Sequence, residues 1–554
     1  MIPTRETGEQ ADRTGSGLPL AIGPLSHFAN GLMRLRGWKR VLAAIGSGIL
    51  AAGAMPPFNF VPLLFLSFPL LLWLAEGRSH ERGKTWRGLF RDGWCWGLGF
   101  FTPTLYWTAA SLFVDIGQFW WMVPFALFGL PAYLALYPGL ALTATHLLVA
   151  ERRSLLGRAL IFAGFWTIAE YLRGIVFTGF PWALIGYAWS GTATPLLAML
   201  QSASLFGVLG LGFVTVLAAS LVTGLATPRP WPPLALAALL IALPMLGGAL
   251  RLSAHPATRT GLALRIVQPG AAESESYSHE KAAEDFRQLL ALASRPGADK
   301  IAVQVWPEGA VPTFLNRDAA ARRAIGAVLP PGGLVLTGTL RDDADGRVFN
   351  SIMAVDASGT PRGAYDKAHL VPFGEYVPFH RFLPFIDAIA GNRLDFSTGP
   401  GPRGLDLPPP LPRVGPVICY EAIFPHAVVD ETHRPNWIVN VTDDGWFGRS
   451  IGPAQHFAIA RMRAVEEGLP LIRAANTGIS GVVDSLGRIG PTLALGKVGV
   501  LDTDLPSPLP QTVYGRFGNI VPMVLALMST ILGFIALKSW QNRLLPRPAR
   551  RDMP

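Results

Sequence analysis

This chain contains a series of apolar stretches, each long enough to cross a lipid bilayer. About 20 mainly apolar residues span the hydrocarbon core. Such stretches predict eight helices, near residues 39–56, 60–76, 92–114, 119–149, 155–175, 200–226, 231–250 and 519–538. Pro131 and Pro138 lie within the fourth stretch, so we expect a tilt or kink there. The sequence therefore predicts a multi-pass α-helical membrane domain.

Lys and Arg are concentrated in alternate connections between these stretches. They precede the first stretch, separate the second from the third and the fourth from the fifth, and follow the last, whereas the turns 55–59 and 114–118 contain neither. Because loops rich in Lys and Arg face the cytoplasm, both termini are expected there, with residues 255–518 on the outer side. The net charge of +10 then reflects membrane topology. No nucleic-acid partner is expected, because no aromatic and basic platform for single strands is present.

Composition divides the chain into parts that suit two different solvents. Only 15% of all residues are charged, against about a quarter in soluble domains, and the deficit is confined to residues 41–250. Four segments follow from this: a polar cytoplasmic tail at 1–37, seven membrane helices at 38–255, an outer domain at 256–510, and the eighth helix with a basic tail at 511–554. The N-terminal segment lacks the layout of a signal peptide and is expected to be mobile.

The outer segment alternates short β-rich runs with helical patterns. Strands are predicted at 264–267, 301–305, 334–337, 351–355, 415–418, 437–441 and 481–484, and helices at 279–294 and 455–466. This alternation indicates an α/β fold with reactive groups at strand ends. Residues 371–413 are rich in Pro and Gly and too long for a plain connector, so we interpret them as a lid or binding loop.

Three polar residues follow apolar runs of this segment, namely Glu308, Lys367 and Cys419. Taken singly, such residues are ordinary strand ends, and a Cys is usually a small buried hydrophobe. Together they suit acyl transfer through a thioester: a thiol needs a base, a partly buried carboxylate supplies one, and a fixed ammonium stabilises the oxyanion. Cys95, the other cysteine, lies in an apolar run, so Cys419 is predicted to be a free thiol.

The same segments resemble the nitrilase (carbon–nitrogen hydrolase) superfamily, whose catalytic set is Glu-Lys-Cys. The supporting motifs are FNS at 349–351, YDK at 365–367 and NTGIS at 476–480. Eight spans, together with LVPFGEYVP at 370–378, narrow the resemblance to the apolipoprotein N-acyltransferase family over about residues 40–538. The resemblance implies a nitrilase-like αββα sandwich on the periplasmic side of the bacterial inner membrane.

The resemblance also implies a role for each site residue. Cys419 would be the nucleophile, Glu308 the general base and Lys367 the oxyanion stabiliser. Supporting residues would be Glu375, Tyr420 and Glu421. Trp446 matches a loop aromatic that contacts acyl chains. Trp182 and Tyr106, at the outer ends of predicted spans, belong either to an interfacial aromatic belt or to the lining of a path toward the outer domain.

The reaction implied by the resemblance has two steps. Cys419 takes an acyl chain from a membrane phospholipid, and the thioester is then attacked by the α-amino group of a diacylglyceryl-cysteine at the start of an apolipoprotein. No cofactor is implied. No metal is expected, because His369, His426 and His456 lack a ligand spacing. The chain is expected to act as a monomer within the bilayer.

Two other functions remain open at this point. A membrane-tethered nitrilase-type amidohydrolase would use the same three residues, although one span would suffice to anchor it. A transporter or channel with an accessory domain would need intramembrane charges and a two-half repeat, and the spans show neither clearly. Resolution of a thioester by an amine or by water discriminates the first from the acyltransferase.

Overall fold

The computed structural model describes residues 23–78, 85–113, 116–149, 154–271, 279–376 and 396–544. Up to residue 254 the described chain is helical and forms, with the last helix, what we call the membrane half. Its α-helices are α1 (Ser26–Met33), α2 (Gly37–Ala52), α3 (Leu64–Glu76), α4 (Thr85–Leu105), α5 (Ile116–Phe119), α6 (Leu130–Leu134), α7 (Leu136–Val149), α8 (Leu155–Arg173), α9 (Thr194–Leu200), α10 (Ala203–Leu221) and α11 (Trp231–Ala254).

Helices occur at all eight predicted positions, but they are not equally suited to crossing a bilayer. Among the described residues, five segments are long and apolar enough, namely Ile116–Val149, Leu155–Arg173, Ala203–Ala226, Trp231–Ala254 and Ile520–Lys538. The other three predicted spans correspond to α2, α3 and α4. The first two are short, at 16 and 13 residues, and α4 carries Arg87, Arg91 and Asp92. By length and composition alone, five of the eight predicted spans qualify, and the other three are helical in the structure but do not meet that criterion.

The outward faces of the last two spans are apolar. Leu239 and Leu243 on α11 are 50% and 57% exposed, and Val524 and Leu527 on the C-terminal helix are 52% and 58% exposed. A soluble monomer rarely exposes so continuous a band of large apolar side chains. Lipid, unlike water, solvates such apolar surfaces without a penalty. The protein is accordingly a membrane protein.

The predicted polar tail is shorter than expected. Residues 26–33 form α1, whose Ala29 and Met33 are buried against Trp73 of α3. Apolar residues on one side of this segment pack against α3. The overall polarity of residues 1–37 did not indicate this helix. Residues 1–22, Arg152, Arg153 and the basic stretch 545–554 lie outside the described residues.

Charges inside the membrane half are paired. Asp92 of α4 accepts hydrogen bonds from Arg40 of α2 and from Arg78 just after α3, each 2.8 Å from Nε to Oδ2. All three residues are buried. Ionisable groups within a membrane domain normally face the interior and pair in this way.

Residues Arg259–Pro506 form a second unit, which we call the sandwich domain. Its strands are β1 (Arg259–Gln268), β2 (Val303–Val305), β3 (Val311–Phe314), β4 (Leu334–Asp342), β5 (Val348–Asp356), β6 (Pro361–Asp366), β7 (Val414–Ile418), β8 (Trp437–Thr442), β9 (Leu471–Ala475), β10 (Ser480–Val483), β11 (Ile489–Leu493) and β12 (Gly499–Pro506). Its helices are α12 (His279–Ala293), α13 (Ala319–Gly326) and α14 (Gly452–Glu467).

The strands form two sheets that pack face to face. One sheet has the order β12-β1-β2-β4-β5-β6 with β3 beside β4, and the other has the order β11-β10-β9-β8-β7. Apolar side chains of both sheets share one core. A second core lies beneath α12 and α13, and a third lies beneath α14. The domain is therefore an αββα sandwich, as predicted.

Strand direction brings the predicted site residues to one end of the sandwich. In the first sheet β2 runs parallel to β4, while β5 is antiparallel to both β4 and β6, so β2 and β6 point the same way. Their carboxyl ends lead to Glu308 and Lys367. In the second sheet β7 runs parallel to β8 and leads to Cys419.

After the sandwich domain the chain returns to the membrane half. A short α15 (Val513–Phe517) precedes α16 (Ile520–Leu544), which packs against α8. Ser529 on α16 donates a hydrogen bond of 2.9 Å to the Leu160 carbonyl of α8. The two helices approach so closely at Gly157 that a Cβ there would lie 2.9 Å from the Gly533 carbonyl oxygen. The sandwich domain is thus an insertion between α11 and α16.

Candidate active site

A buried ammonium lies between two carboxylates at the shared end of β2 and β6. The Lys367 Nζ is 3.1 Å from Glu308 Oε1 and 2.8 Å from Glu375 Oε1, and Lys367 is 1% exposed. Asn350, on β5 between them, donates its Nδ2 to both carboxylates at 2.8 Å. The Oε1 atom of each carboxylate therefore accepts hydrogen bonds from two donors, Lys367 and Asn350.

The second oxygen of each carboxylate is fixed by the backbone. The Asp443 N–H donates to Glu308 Oε2 at 2.9 Å, and the Val371 N–H donates to Glu375 Oε2 at 2.7 Å. Burial alone would lower the pKa of Lys367, but Glu308 and Glu375 outweigh it and raise that pKa. Lys367 is therefore a fixed cation at neutral pH.

Cys419 begins the turn that follows β7. It is 7% exposed, and its backbone φ of +46° lies in the left-handed region that non-glycine residues seldom adopt. Such conformations persist where the surrounding structure enforces them, and they are frequent at active sites. Burial raises the pKa of the Cys419 thiol well above its usual value, and Glu308 raises it further while Lys367 opposes the shift. The resting group is consequently a thiol.

This raised pKa has a measurable consequence. Because only the thiolate is alkylated, we expect iodoacetamide to label Cys419 at pH 7 much more slowly than an exposed thiol. Labelling should accelerate as the pH rises beyond 9. Peptide mass spectrometry at a series of pH values distinguishes Cys419 from Cys95. Rapid labelling of Cys419 at pH 7 would contradict the expected protonated state.

Glu421 organises the turn on which Cys419 lies. Its Oε1 accepts hydrogen bonds from the Tyr365 hydroxyl at 2.8 Å and from the Ala368 N–H at 2.6 Å. Its Oε2 accepts from the Ile418 N–H at 2.7 Å. Glu421 is 3% exposed, and burial raises its pKa despite these donors. The side chain thus joins the end of β7 to the residues around Lys367.

Replacing Glu421 with leucine should destabilise the fold. The change leaves donors on four residues, Tyr365, Ala368, His369 and Ile418, without their acceptor, at about 1–3 kcal/mol for each buried one. We expect a loss of about 3 kcal/mol or more in unfolding free energy, seen as a lower thermal midpoint in detergent. Glu280→Leu, on the exposed start of α12, is the control and should leave the midpoint almost unchanged. Equal midpoints for both variants would argue against a structural role for Glu421.

The predicted aromatic contacts occupy three different environments. Trp446 is 45% exposed in the turn Asp444–Phe447, and Tyr106 is 44% exposed at the end of α4. Trp182 is only 2% exposed, and its Nε1 donates to Gln455 of α14 at 2.8 Å. Trp446 and Tyr106 are therefore available to a ligand, whereas Trp182 is a packing residue between the two halves.

Tyr420 also joins the two halves. It is buried, and its hydroxyl donates to the Gly179 carbonyl oxygen of the membrane half at 3.0 Å. Its ring lies edge-on to Phe424, with centroids 5.2 Å apart. Cys419 is therefore one residue from a direct contact with the membrane half.

A buried polar group beside Cys419 was missed by the sequence analysis. His456 Nε2 is 3.0 Å from the Cys419 carbonyl oxygen, and His456 Nδ1 is 2.8 Å from Asp444 Oδ1. Asp444 is paired with Arg473 at 2.7 Å. All three side chains are buried. His456 has no metal-ligand spacing to other residues in the sequence. Its position on the predicted helix 455–466 is the one local signal that could have indicated it.

Two cavities lie near this site in the described part of the chain. One of about 160 Å³ lies behind Glu308 and is bordered by Asp285, Asp443 and Asn476. The other, of about 330 Å³, lies at the junction of the two halves and is bordered by residues that include Glu170, His369 and Phe424. Within the described residues no group of three or more His, Cys, Asp or Glu side chains is arranged to hold a metal ion.

Comparison with known proteins identifies both halves. The family model for the apolipoprotein N-acyltransferase N-terminal domain matches residues 47–221, and the model for carbon-nitrogen hydrolase matches residues 264–512. Among solved structures, an amidase of the nitrilase superfamily from Nesterenkonia AN1 is 17% identical, with a TM-score of 0.34, and the match covers 45% of this chain and 92% of that one.

Relatives named apolipoprotein N-acyltransferase align with nearly the whole chain. The protein from Rhodopseudomonas palustris is 39% identical, and the match covers 92% of this chain and 97% of the relative. The protein from Bradyrhizobium diazoefficiens is 40% identical, and the match covers 92% of this chain and 98% of the relative. With a helical membrane half joined to a nitrilase-like sandwich, the chain belongs to the apolipoprotein N-acyltransferase family.

Proposed function

We propose that this protein transfers a fatty acyl chain from a membrane phospholipid to the α-amino group of the diacylglyceryl-cysteine of an apolipoprotein. The observation that carries the proposal is the buried Lys367 between Glu308 and Glu375 at the same end of the sandwich as Cys419. Tyr420 connects this end to the membrane half. A thiol, a carboxylate and a cation are thus assembled next to the part of the protein that borders lipid.

The first step forms a thioester. Glu308 takes the proton of the Cys419 thiol as sulfur attacks the carbonyl carbon of the phospholipid ester. The carbonyl oxygen becomes an oxyanion that Lys367 stabilises. The carbon–oxygen ester bond then breaks, and the proton held by Glu308 passes to the departing lysophospholipid oxygen. Glu375 and Asn350 keep Lys367 and Glu308 aligned.

The second step releases the acyl chain as an amide. The neutral α-amino group of the acceptor attacks the thioester carbonyl, Lys367 stabilises the second oxyanion, and the carbon–sulfur bond breaks. The amine loses a proton to Glu308, which returns one to the sulfur of Cys419. No atom is left over, so the enzyme is restored after each ping-pong cycle.

Location at a membrane surface suits both substrates. Drawing an acyl chain into water costs about 0.8 kcal/mol per CH₂, which a site bordering the bilayer avoids.

We assign the protein to the bacterial inner membrane, with the sandwich domain in the periplasm and both termini cytoplasmic, because of the alternating positive loops. It acts as a monomer. The loop 371–413 is the proposed lid, of which residues 377–395 lie outside the described residues. Trp446 and Tyr106 are the proposed acyl contacts.

The proposal is tested by intact-mass analysis of the detergent-purified protein after incubation with phospholipid. We expect a fatty-acyl mass on the wild type that hydroxylamine removes, and no adduct on Cys419→Ala. A diacylglyceryl-cysteine peptide should remove the adduct and become acylated. An adduct lost to water at the same rate with or without peptide would favour the amidohydrolase instead. No adduct on the wild type would overturn the thioester mechanism.

A further inference from the structure

Two adjacent residues at the start of α14 join the membrane half to the backbone of Cys419. Gln455 faces the membrane half, and His456 faces the turn after β7. Gln455 is 3% exposed and His456 is fully buried. Neither contacts Lys367, Glu308 or Glu375 in any hydrogen bond of the described residues. They are therefore separate from the proposed proton-transfer and oxyanion groups.

Gln455 uses its whole amide to bind the membrane half. Its Oε1 accepts from the indole N–H groups of Trp107 at 2.9 Å and Trp182 at 2.8 Å. Its Nε2 donates to the carbonyl oxygens of Pro56 and Thr104, each at 3.2 Å. A side-chain amide has two acceptor sites and two donor hydrogens, so every one is satisfied. Four separate points on the membrane half converge on one buried side chain.

His456 fixes the main chain of the nucleophile rather than its sulfur. A carbonyl oxygen can only accept, so the ring nitrogen 3.0 Å from the Cys419 oxygen carries the proton and donates it. On the other side of the ring, Asp444 is held by Arg473. The donated bond acts on a residue whose φ of +46° needs external support.

The two functions are mechanically linked. The His456 ring packs against Trp182 with centroids 5.5 Å apart, and Trp182 is also a donor to Gln455. Phe447 closes the third side, 5.7 Å from His456 and 4.6 Å from Trp107. A shift of the membrane half would therefore move the aromatic side chains that pack against the His456 ring.

We propose that Gln455 and His456 are positioning residues, with His456 holding the Cys419 backbone in its reactive conformation and Gln455 making that alignment depend on a docked membrane half. The inference rests on the proposed function, since it concerns the nucleophile of the thioester step. A misalignment of about 1 Å at a reacting atom costs about 100-fold in rate. That is the size of effect expected when the His456 bond is lost.

The chain offers a conservative pair of substitutions for the test. His456→Gln places an amide donor where Nε2 lies and keeps the bond to Cys419, whereas His456→Asn reaches only the Nδ1 position and keeps the contact with Asp444. We expect the single-turnover rate of thioester formation at saturating phospholipid to fall about 100-fold in His456→Asn. His456→Gln should recover most of the rate. The half-saturating phospholipid concentration should stay unchanged in both, since only alignment is altered.

Gln455 is tested against another buried glutamine at the same junction. Gln455→Met keeps the size of the side chain and removes its hydrogen bonds, and the saturating rate should fall at least about tenfold. Gln201, in the membrane half, also joins the two halves by donating to the Leu486 carbonyl at 2.8 Å, and it accepts from Arg251 of α11 at 2.7 Å. Within the described residues no hydrogen bond links Gln201 to the turn of Cys419. Gln201→Met should therefore keep close to the wild-type rate.

The outcomes separate this inference from the proposed function. Equal rates for His456→Asn and His456→Gln, or for Gln455→Met and Gln201→Met, would overturn the positioning roles. If the wild type forms no acyl adduct, the proposed function fails, and iodoacetamide labelling of Cys419, which needs no phospholipid, decides the inference. His456→Asn is then expected to differ from the wild type in labelling rate and His456→Gln to match it, and no difference would overturn it.

Discussion

Replacing Lys367 with methionine is expected to lower the rate of acyl transfer by about 10³-fold, the largest effect of a single donor at an oxyanion site. The methionine keeps the length of the side chain but removes the cation that lies between Glu308 and Glu375. Two partly buried carboxylates then lie close together without a cation between them, which also disfavours the oxyanion in the transition state. The rate is measured as product amide formed per minute with a fluorescent diacylglyceryl peptide.

A second change at the same position separates charge from geometry. Lys367→Arg keeps the positive charge, but a planar guanidinium does not fit a pocket shaped for a compact ammonium. We expect it to restore folding, seen as a higher thermal midpoint than that of Lys367→Met, while activity remains low. If Lys367→Met retains more than a tenth of the wild-type rate, Lys367 is not the oxyanion stabiliser.

Replacing Glu308 with glutamine is expected to reduce turnover by about 10²- to 10⁴-fold, the range that general-base catalysis contributes. The amide preserves the size of the side chain, and its one oxygen can accept either from the Asp443 N–H or from Lys367 and Asn350. It removes the charge that raises the pKa of Cys419. The thiol should therefore become more acidic, and iodoacetamide labelling at pH 8 should become faster while turnover falls.

Opposite changes in these two measurements identify a base. If Glu308 acted only by setting the thiol pKa, the variant with more thiolate would be the faster enzyme. Glu375→Gln is the matched comparison, because Glu375 also contacts Lys367, whereas the pKa of Cys419 is raised chiefly by burial and by Glu308. We expect Glu375→Gln to leave the labelling rate unaltered. Parallel increases in labelling and turnover for Glu308→Gln would remove it from the mechanism.

The parts of the fold with a strong periodic signal were predictable. Apolar stretches located the membrane helices because the bilayer sets their length, and alternating runs located most strands of the sandwich domain. That Glu308, Lys367 and Cys419 lie at one end of the sandwich domain was predictable, because each follows a strand and strands of one direction bring their ends to one place. Their catalytic roles stay a prediction. The short β2, Val303–Val305, shows that even a three-residue strand can direct the residues after it to this end when its neighbouring strands are parallel.

Other features depend on contacts between distant residues, which no local pattern contains. The sequence around Gln455 does not indicate that its hydrogen-bond partners are Pro56, Thr104, Trp107 and Trp182. Trp182 was expected at an interface open to lipid or substrate, but burial by α14 converts it into a packing residue. The helix at 26–33 was missed because contacts with distant residues, Trp73, Leu70 and Ala226, stabilise so short a segment.

The position of α16 has a consequence for how the protein is made. It packs on α8 through Ser529 and Leu160, which are 369 residues apart in the chain. Because chains are synthesised from the N-terminus, the face of α8 that contains Gly157 stays open to lipid until the final helix emerges. The sandwich domain has by then already left the ribosome. Ribosomes that stop before residue 520 would release a chain with every proposed reacting group and an unclosed membrane half, a ready substrate for membrane proteases.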